Sequence, residues 1–230
     1  AYRSGGVQKG TIGGQTINIY NENTDGVYSI TDSYRMDNGP TASMFFAPLS
    51  KYIATKAGIF EITDIAEDGS SISYTPYTDK TGKFAWAPML DPSVEVHAFY
   101  KSKTSDLNIA LTARSSIAET TAIPGDYELQ RGMVYSPKIK KRIATITPQS
   151  GGTLTVNEGA TTKADWGKPF TLEFTATKSG GKINVPPSFK IRGKAGETYG
   201  NFITAAYESS PEVFLLVDNK PTSLGRMGFT

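Results

Sequence analysis

Apolar and polar residues alternate along this chain with a period of two. Phe170, Leu172, Phe174 and Ala176 are apolar, and Thr171, Glu173, Thr175 and Thr177 between them are polar. The pattern recurs at Leu107, Ile109 and Leu111 and at Val94, Val96 and Ala98. Successive side chains of an extended strand point to opposite faces, so each stretch puts one row in a core and the other in water. A helix would repeat its apolar residues three and four apart, and no long stretch does so. The chain is therefore expected to be all-β, built from half-buried antiparallel strands.

Turn residues divide it into many short strands. With 23 Gly and 13 Pro, nearly every apolar-alternating stretch ends in a turn cluster. Strands are expected at 15–20, 42–47, 58–66, 71–77, 83–87, 94–100, 106–113, 126–136 and 138–147. Residues 27–35 read either as a strand or as a short helix start with Thr31 or Asp32 near its N-cap. Spacings of about ten residues between strands mark a β-sandwich or barrel. The Gly-rich residues 1–14 read as a flexible arm, and 15–147 as a β-rich assembly domain. The best boundary is expected over 115–125, which is small, polar and closed by Pro124-Gly125. A second strong break at Pro148, Gly151 and Gly152 sets off residues 148–230. Their strand series, expected at 154–156, 170–178, 188–192, 201–207 and 213–217, has the size of a small immunoglobulin-like β-sandwich.

Composition removes several classes of function. The 24 basic and 22 acidic residues leave a net charge of +2, so nucleic acid is not an expected partner. With no cysteine, disulfides, thiolate metal sites and cysteine nucleophiles are excluded. No apolar run approaches the roughly 18 residues of a membrane helix; the densest is residues 213–217. No signal-peptide pattern and no Asn-x-Ser/Thr acceptor is seen.

Motifs for catalysis are equally scarce. His97 is the only histidine, and nothing like a Gly-x-Ser-x-Gly elbow accompanies it. It reads as a solvent-facing strand residue beside Glu95. Asp64, Glu67 and Asp68 cluster at a turn, which Asp68-Gly69 explains without a metal. A calcium loop needs regular oxygen ligands as in Asp-x-Asp-x-Asp-Gly, and none is seen. Gly82-Lys83 and Gly181-Lys182 lack the Ser or Thr of a phosphate loop. No enzyme activity and no cofactor is expected.

Two surface readings remain. Tyr74, Tyr77, Phe84 and Trp86 flank one turn and form a candidate aromatic patch for a glycan or a neighbouring subunit; core filling is the plainer alternative. Lys138, Lys140, Lys141 and Arg142 are a candidate basic contact patch, or simply charges protecting a strand edge.

One phrase points to a family. Asp25-Gly26-Val27-Tyr28-Ser29-Ile30-Thr31-Asp32-Ser33-Tyr34-Arg35 resembles a segment common in tailed-bacteriophage virion proteins, where a Gly-aromatic-Ser/Thr-apolar step leads to a short element ending in Tyr or Arg. The Gly-rich opening and the appended immunoglobulin-like module are similar in style. The resemblance implies a structural subunit of a virion, head- or tail-associated, that assembles with copies of itself and with neighbouring virion proteins through its arm and strand edges. Two alternatives stand beside it. One is a filament or fimbrial subunit of a bacterial surface, assembled by strand exchange, although an arm anchored only by Val7 and Ile12 offers little to donate. The other is a carbohydrate-binding adhesin.

Overall fold

The computed structural model describes residues 6–37, 46–86, 93–113, 118–147, 153–184, 190–200, 212–218 and 220–226. It opens with a hairpin where an arm was expected. β1 (Val7–Ile12) runs antiparallel to β2 (Gln15–Tyr20), from Val7 opposite Tyr20 to Ile12 opposite Gln15. Gly13 and Gly14 form the turn with φ of 55° and 72°. A two-residue hairpin needs that left-handed pair, and glycine adopts it without a Cβ clash. β3 (Ser33–Met36) and β4 (Ala47–Pro48) complete a four-stranded antiparallel sheet in the order β1-β2-β3-β4.

A meander follows: β5 (Tyr52–Thr55), β6 (Gly58–Ile65) and β7 (Ile72–Pro76), with the expected Asp68-Gly69 turn inside it. β8 (Gly82–Trp86) then leaves for another layer. β9 (Glu95–Ser102) and β10 (Leu107–Ala113) form the next hairpin. β11 (Ala118–Ala122) pairs with β8. The twelve-residue β12 (Gly125–Ser136) lies along β9 on one side. Its other side is shared by β13 (Lys141–Thr147), against residues from Gly132, and β14 (Thr153–Val156), against Gly125 to Glu128. β15 (Thr161–Ala164) pairs with β8. Short strands follow: β16 (Thr171–Glu173), β17 (Thr177–Ser179), β18 (Lys182–Asn184), β19 (Lys190–Arg192) and β20 (Thr198–Gly200). β21 (Glu212–Val217) and β22 (Lys220–Arg226) make a separate hairpin.

The all-β expectation holds, and the sheets stack in three layers. The large middle sheet runs β16-β19-β20-β13-β12-β9-β10-β5-β6-β7, with β14 also on β12. One face packs on the sheet β11-β8-β15: Val96, Ala98 and Tyr100 of β9 and Leu107, Ile109 and Leu111 of β10 meet Phe84 and Trp86 there. The other face packs on the four-stranded sheet, where Phe99 and Ala110 meet Ile12, Ile17, Ile19, Tyr34 and Met36. The middle strands are thus buried on both faces, which the half-buried expectation missed. Most pairings are antiparallel, but β10 with β5 and β15 with β8 are parallel.

The expected boundary at 148–152 lies outside the described residues. Strands after it nevertheless join strands before it: β14 pairs with β12, β15 with β8 and β20 with β13. β14, β15, β16, β19 and β20 thus extend sheets begun earlier in the chain, whereas β17 and β18 pair as a two-stranded sheet of their own. The break expected over 115–125 holds β11, whose inward row of Ala118, Thr120 and Ala122 is buried but too small and polar to signal a strand. The strand expected within 201–207 lies outside the described residues.

Candidate functional site

The alternating stretch at 170–178 is not one half-buried strand. It forms β16 and β17, and the chain from 174 to 176 is irregular. The apolar row expected in the core is outside it: Phe170 is 44% exposed, Leu172 54% and Phe174 50%. Thr171, Glu173, Thr175 and Thr177 are exposed as well. β16 is the last strand of the large sheet and pairs only with β19 among the described residues, Leu172 lying opposite Ile191. Local alternation was legible, but burial needs a second layer, and none covers this end among the described residues. Two side contacts anchor the edge. The Phe170 and Tyr199 rings meet edge-to-face at 5.3 Å, and Glu173 pairs with Arg192. An apolar row on an open sheet edge offers both a ladder of backbone hydrogen bonds and surface to bury.

The bend beyond β19 is held by a buried carboxylate that the sequence did not single out. Glu197 is 4% exposed and accepts from the Gly167 amide at 2.7 Å, the Ala195 amide at 3.1 Å and the Tyr199 hydroxyl at 2.7 Å. Burial, then the Glu197 charge, pushes the Tyr199 phenol far up. With its partners in place this carboxylate is structural, and it holds Tyr199 where Phe170 packs.

The aromatic set does not form one surface. Phe84 and Trp86 have no exposed area; they face inward from β8 and pack on Tyr100, Tyr127 and Trp166. Tyr77 is half-buried against Tyr52 at 5.4 Å. Only Tyr74 is open, at 38%, with its ring edge-to-face on Phe60 at 5.4 Å. The candidate four-residue contact is therefore corrected to core for Phe84 and Trp86, because β8 is sandwiched between β11 and β15 and turns its aromatic row to the middle sheet. The basic run does lie at the surface: Lys138 and Lys140 sit in the β12–β13 turn, Lys141 and Arg142 start β13, and all four are exposed.

His97 is another correction. It is 2% exposed, on the doubly covered β9. Its Nδ1 shares a hydrogen bond with Thr112 Oγ1 at 2.8 Å, and Nε2 stands 3.5 Å from Glu95 Oε2. In the β6–β7 turn, Asp68 accepts the Ser70 amide at 2.9 Å, and bonds from Ser70 hold its carboxyl below the usual range. Among the described residues, no three His, Cys, Asp or Glu side chains gather as metal ligands.

The segment bearing the virion-like phrase is neither strand nor helix before Ser33. Residues 21–32 are a β2–β3 loop whose side chains satisfy its backbone. Asp25 Oδ1 accepts the Val27 amide at 2.7 Å. Asn21 Nδ2 donates to the Val27 carbonyl at 3.0 Å and lies 3.3 Å from Asp25 Oδ1. Asn23 Nδ2 donates to Asp25 Oδ2 at 2.7 Å. Asp32, 1% exposed, accepts the amides of Glu22 at 3.2 Å and Ser29 at 2.9 Å. The buried Tyr28 docks the loop on the β6–β7 turn, its amide 2.8 Å from the Glu67 carbonyl.

Comparison of the chain with family models, curated proteins and solved structures finds no match.

Proposed function

We propose that this chain is a non-enzymatic structural subunit of a bacteriophage virion, head- or tail-associated, joined to copies of itself and to neighbouring virion proteins through its sheet edges. The observation that carries this reading is the exposed apolar row of Leu172 on the terminal strand β16 and Phe170 and Phe174 at its two ends. A monomer gains nothing from such a row in water, whereas a neighbour covering it gains its burial. The exposed edge strand β1 supplies a second open edge, carrying polar side chains and Val7. The virion assignment draws on the phrase at residues 25–35. Strand exchange is less favoured, because residues from Val7 onward already pair within the chain. The glycan reading loses Phe84 and Trp86.

The test is a mass-spectrometric inventory of phage particles and surface filaments purified from cultures that express the chain, with sedimentation of the isolated protein. The expected result is the chain in a phage particle at a copy number set by its symmetry, and association in solution. A chain that stays monomeric at high concentration and is absent from every particle overturns the reading.

A further inference from the structure

We propose that the groove between the β2–β3 loop and β6 receives the β12–β13 turn of a second copy of this chain. Its apolar side chains take Ile139 of that copy, and its carboxylates take Lys138 and Lys140. The inference rests on the reading of the chain as a self-assembling subunit and names a contact for it.

The groove has a volume of about 410 Å³. Val27 and Ile30 line it from the loop, and Ile62 and Ile65 from β6. Val27 is 39% exposed and Ile30 42%. Two aliphatic side chains open to water at a concave site leave apolar surface for a partner to bury. Asp64 and Glu67 also line the groove, and both are exposed. Its one basic side chain, Lys51, is already held by Glu61 at 2.9 Å. Among the described residues, neither Asp64 nor Glu67 is paired with a cation. The groove thus keeps two unanswered negative charges beside an apolar surface.

The opposite combination lies elsewhere on the chain. Residues 137–140 turn between β12 and β13. Lys138 and Lys140 are exposed on either side of the half-buried Ile139, and the exposed Lys141 and Arg142 follow. Other surface lysines are answered within the chain: Lys80 by Glu158, Lys83 by Glu119 and Lys103 by Glu128. The four cations of this run meet no carboxylate among the described residues. A projecting turn with one aliphatic residue between two ammonium groups complements an aliphatic groove that carries two carboxylates.

Strand register keeps the two patches apart within one chain. Tyr135, next to the turn, lies opposite Glu95 at the start of β9. Lys51, in the groove, donates its amide to Asp106 at 3.0 Å, in the turn beyond the other end of β9. The 8 residues of β9 span the distance between those ends, about 26 Å at roughly 3.3 Å per residue. The patches therefore sit at opposite ends of the large sheet, and a contact between them needs two copies. Joined end to end through two different patches, copies close into a ring or run on as a stack.

The experiment is sedimentation velocity of the full chain over a concentration series, at about 50 mM and about 500 mM salt. It is repeated with the charges of each patch reversed. The groove variant carries Asp64→Lys and Glu67→Lys; the turn variant carries Lys138→Glu and Lys140→Glu. All four side chains are exposed, and thermal melts check that folding is kept. The native chain is expected to associate, and to do so more weakly at high salt. Either variant alone sets like charges against each other and should associate at least about tenfold more weakly. Mixing the two variants in equal amounts should restore association, because every groove then finds a turn of opposite charge. Association indifferent to both reversals overturns the contact, as do weakened variants that mixing does not rescue. If association is instead lost in the Leu172→Lys chain, self-assembly stands without this groove. A native chain that stays monomeric throughout also overturns the contact, and the particle inventory then decides separately on the virion reading. If a variant fails to fold, the native chain decides: association that does not weaken with salt overturns the inference.

Discussion

Replacing Leu172 by lysine separates folding from assembly. Leu172 is 54% exposed on β16, so about half of its side chain already lies in water. Fully burying a leucine is worth about 1.5–3 kcal/mol. A neighbour covering the open half therefore gains roughly 0.8–1.5 kcal/mol there. Lysine forfeits that gain and adds the desolvation of its charge, so each contact weakens by about tenfold or more. Within the chain the lysine stem lies along the same neighbours with its ammonium in water. Stability should then fall by no more than about 0.5–1 kcal/mol. Denaturant unfolding measures the second quantity, and sedimentation velocity over a concentration series the first. A folded Leu172→Lys chain that associates as tightly as the native protein would show that this edge is not a contact. A variant that unfolds outright would show that Leu172 belongs to the core.

Two further outcomes follow from the packing. Phe84→Ala and Trp86→Ala each remove a side chain with no exposed area, so each should cost about 3–5 kcal/mol, against about 1 kcal/mol or less for the exposed Tyr74→Ala; thermal melts rank the three, and equal losses would refute the layer assignment. The Tyr127 hydroxyl donates to the Ile123 carbonyl at 2.8 Å, and burial pushes its pKa up to about 12 from 10.0. Since folding favours the neutral phenol, this contribution is complete below pH 10.0 and is lost as pH rises through about 12. Tyr127→Phe should lose about 0.5–1.5 kcal/mol at neutral pH while declining less steeply in alkali; an unchanged alkaline limb in unfolding experiments would reject that account.

The strands were legible because alternation and turn chemistry are local. β6 and β7 with Asp68-Gly69, and β9 with β10, fall close to where the sequence puts them. What failed is what depends on neighbours. His97 reads as wet from its own strand, yet a second layer covers it. Phe170, Leu172 and Phe174 read as core, yet they are exposed and no layer among the described residues reaches them. β11 went unseen because Ala118, Thr120 and Ala122 are buried by small size under large partners.

The parallel pairing of β15 with β8 fixes a schedule as well as a contact. About 75 residues separate Trp86 from Thr161, roughly 4 to 15 seconds of synthesis at about 5–20 residues per second. Until β15 emerges, β8 lacks one neighbour, and Trp86 lacks the Trp166 ring that meets it at 5.1 Å. A nascent chain therefore carries an unfinished apolar layer while its first hairpins are already formed. The layer closes only once β15 and Trp166 have emerged, so a partner that binds afterwards meets a subunit whose adhesive interior is sealed and whose outer edges are open.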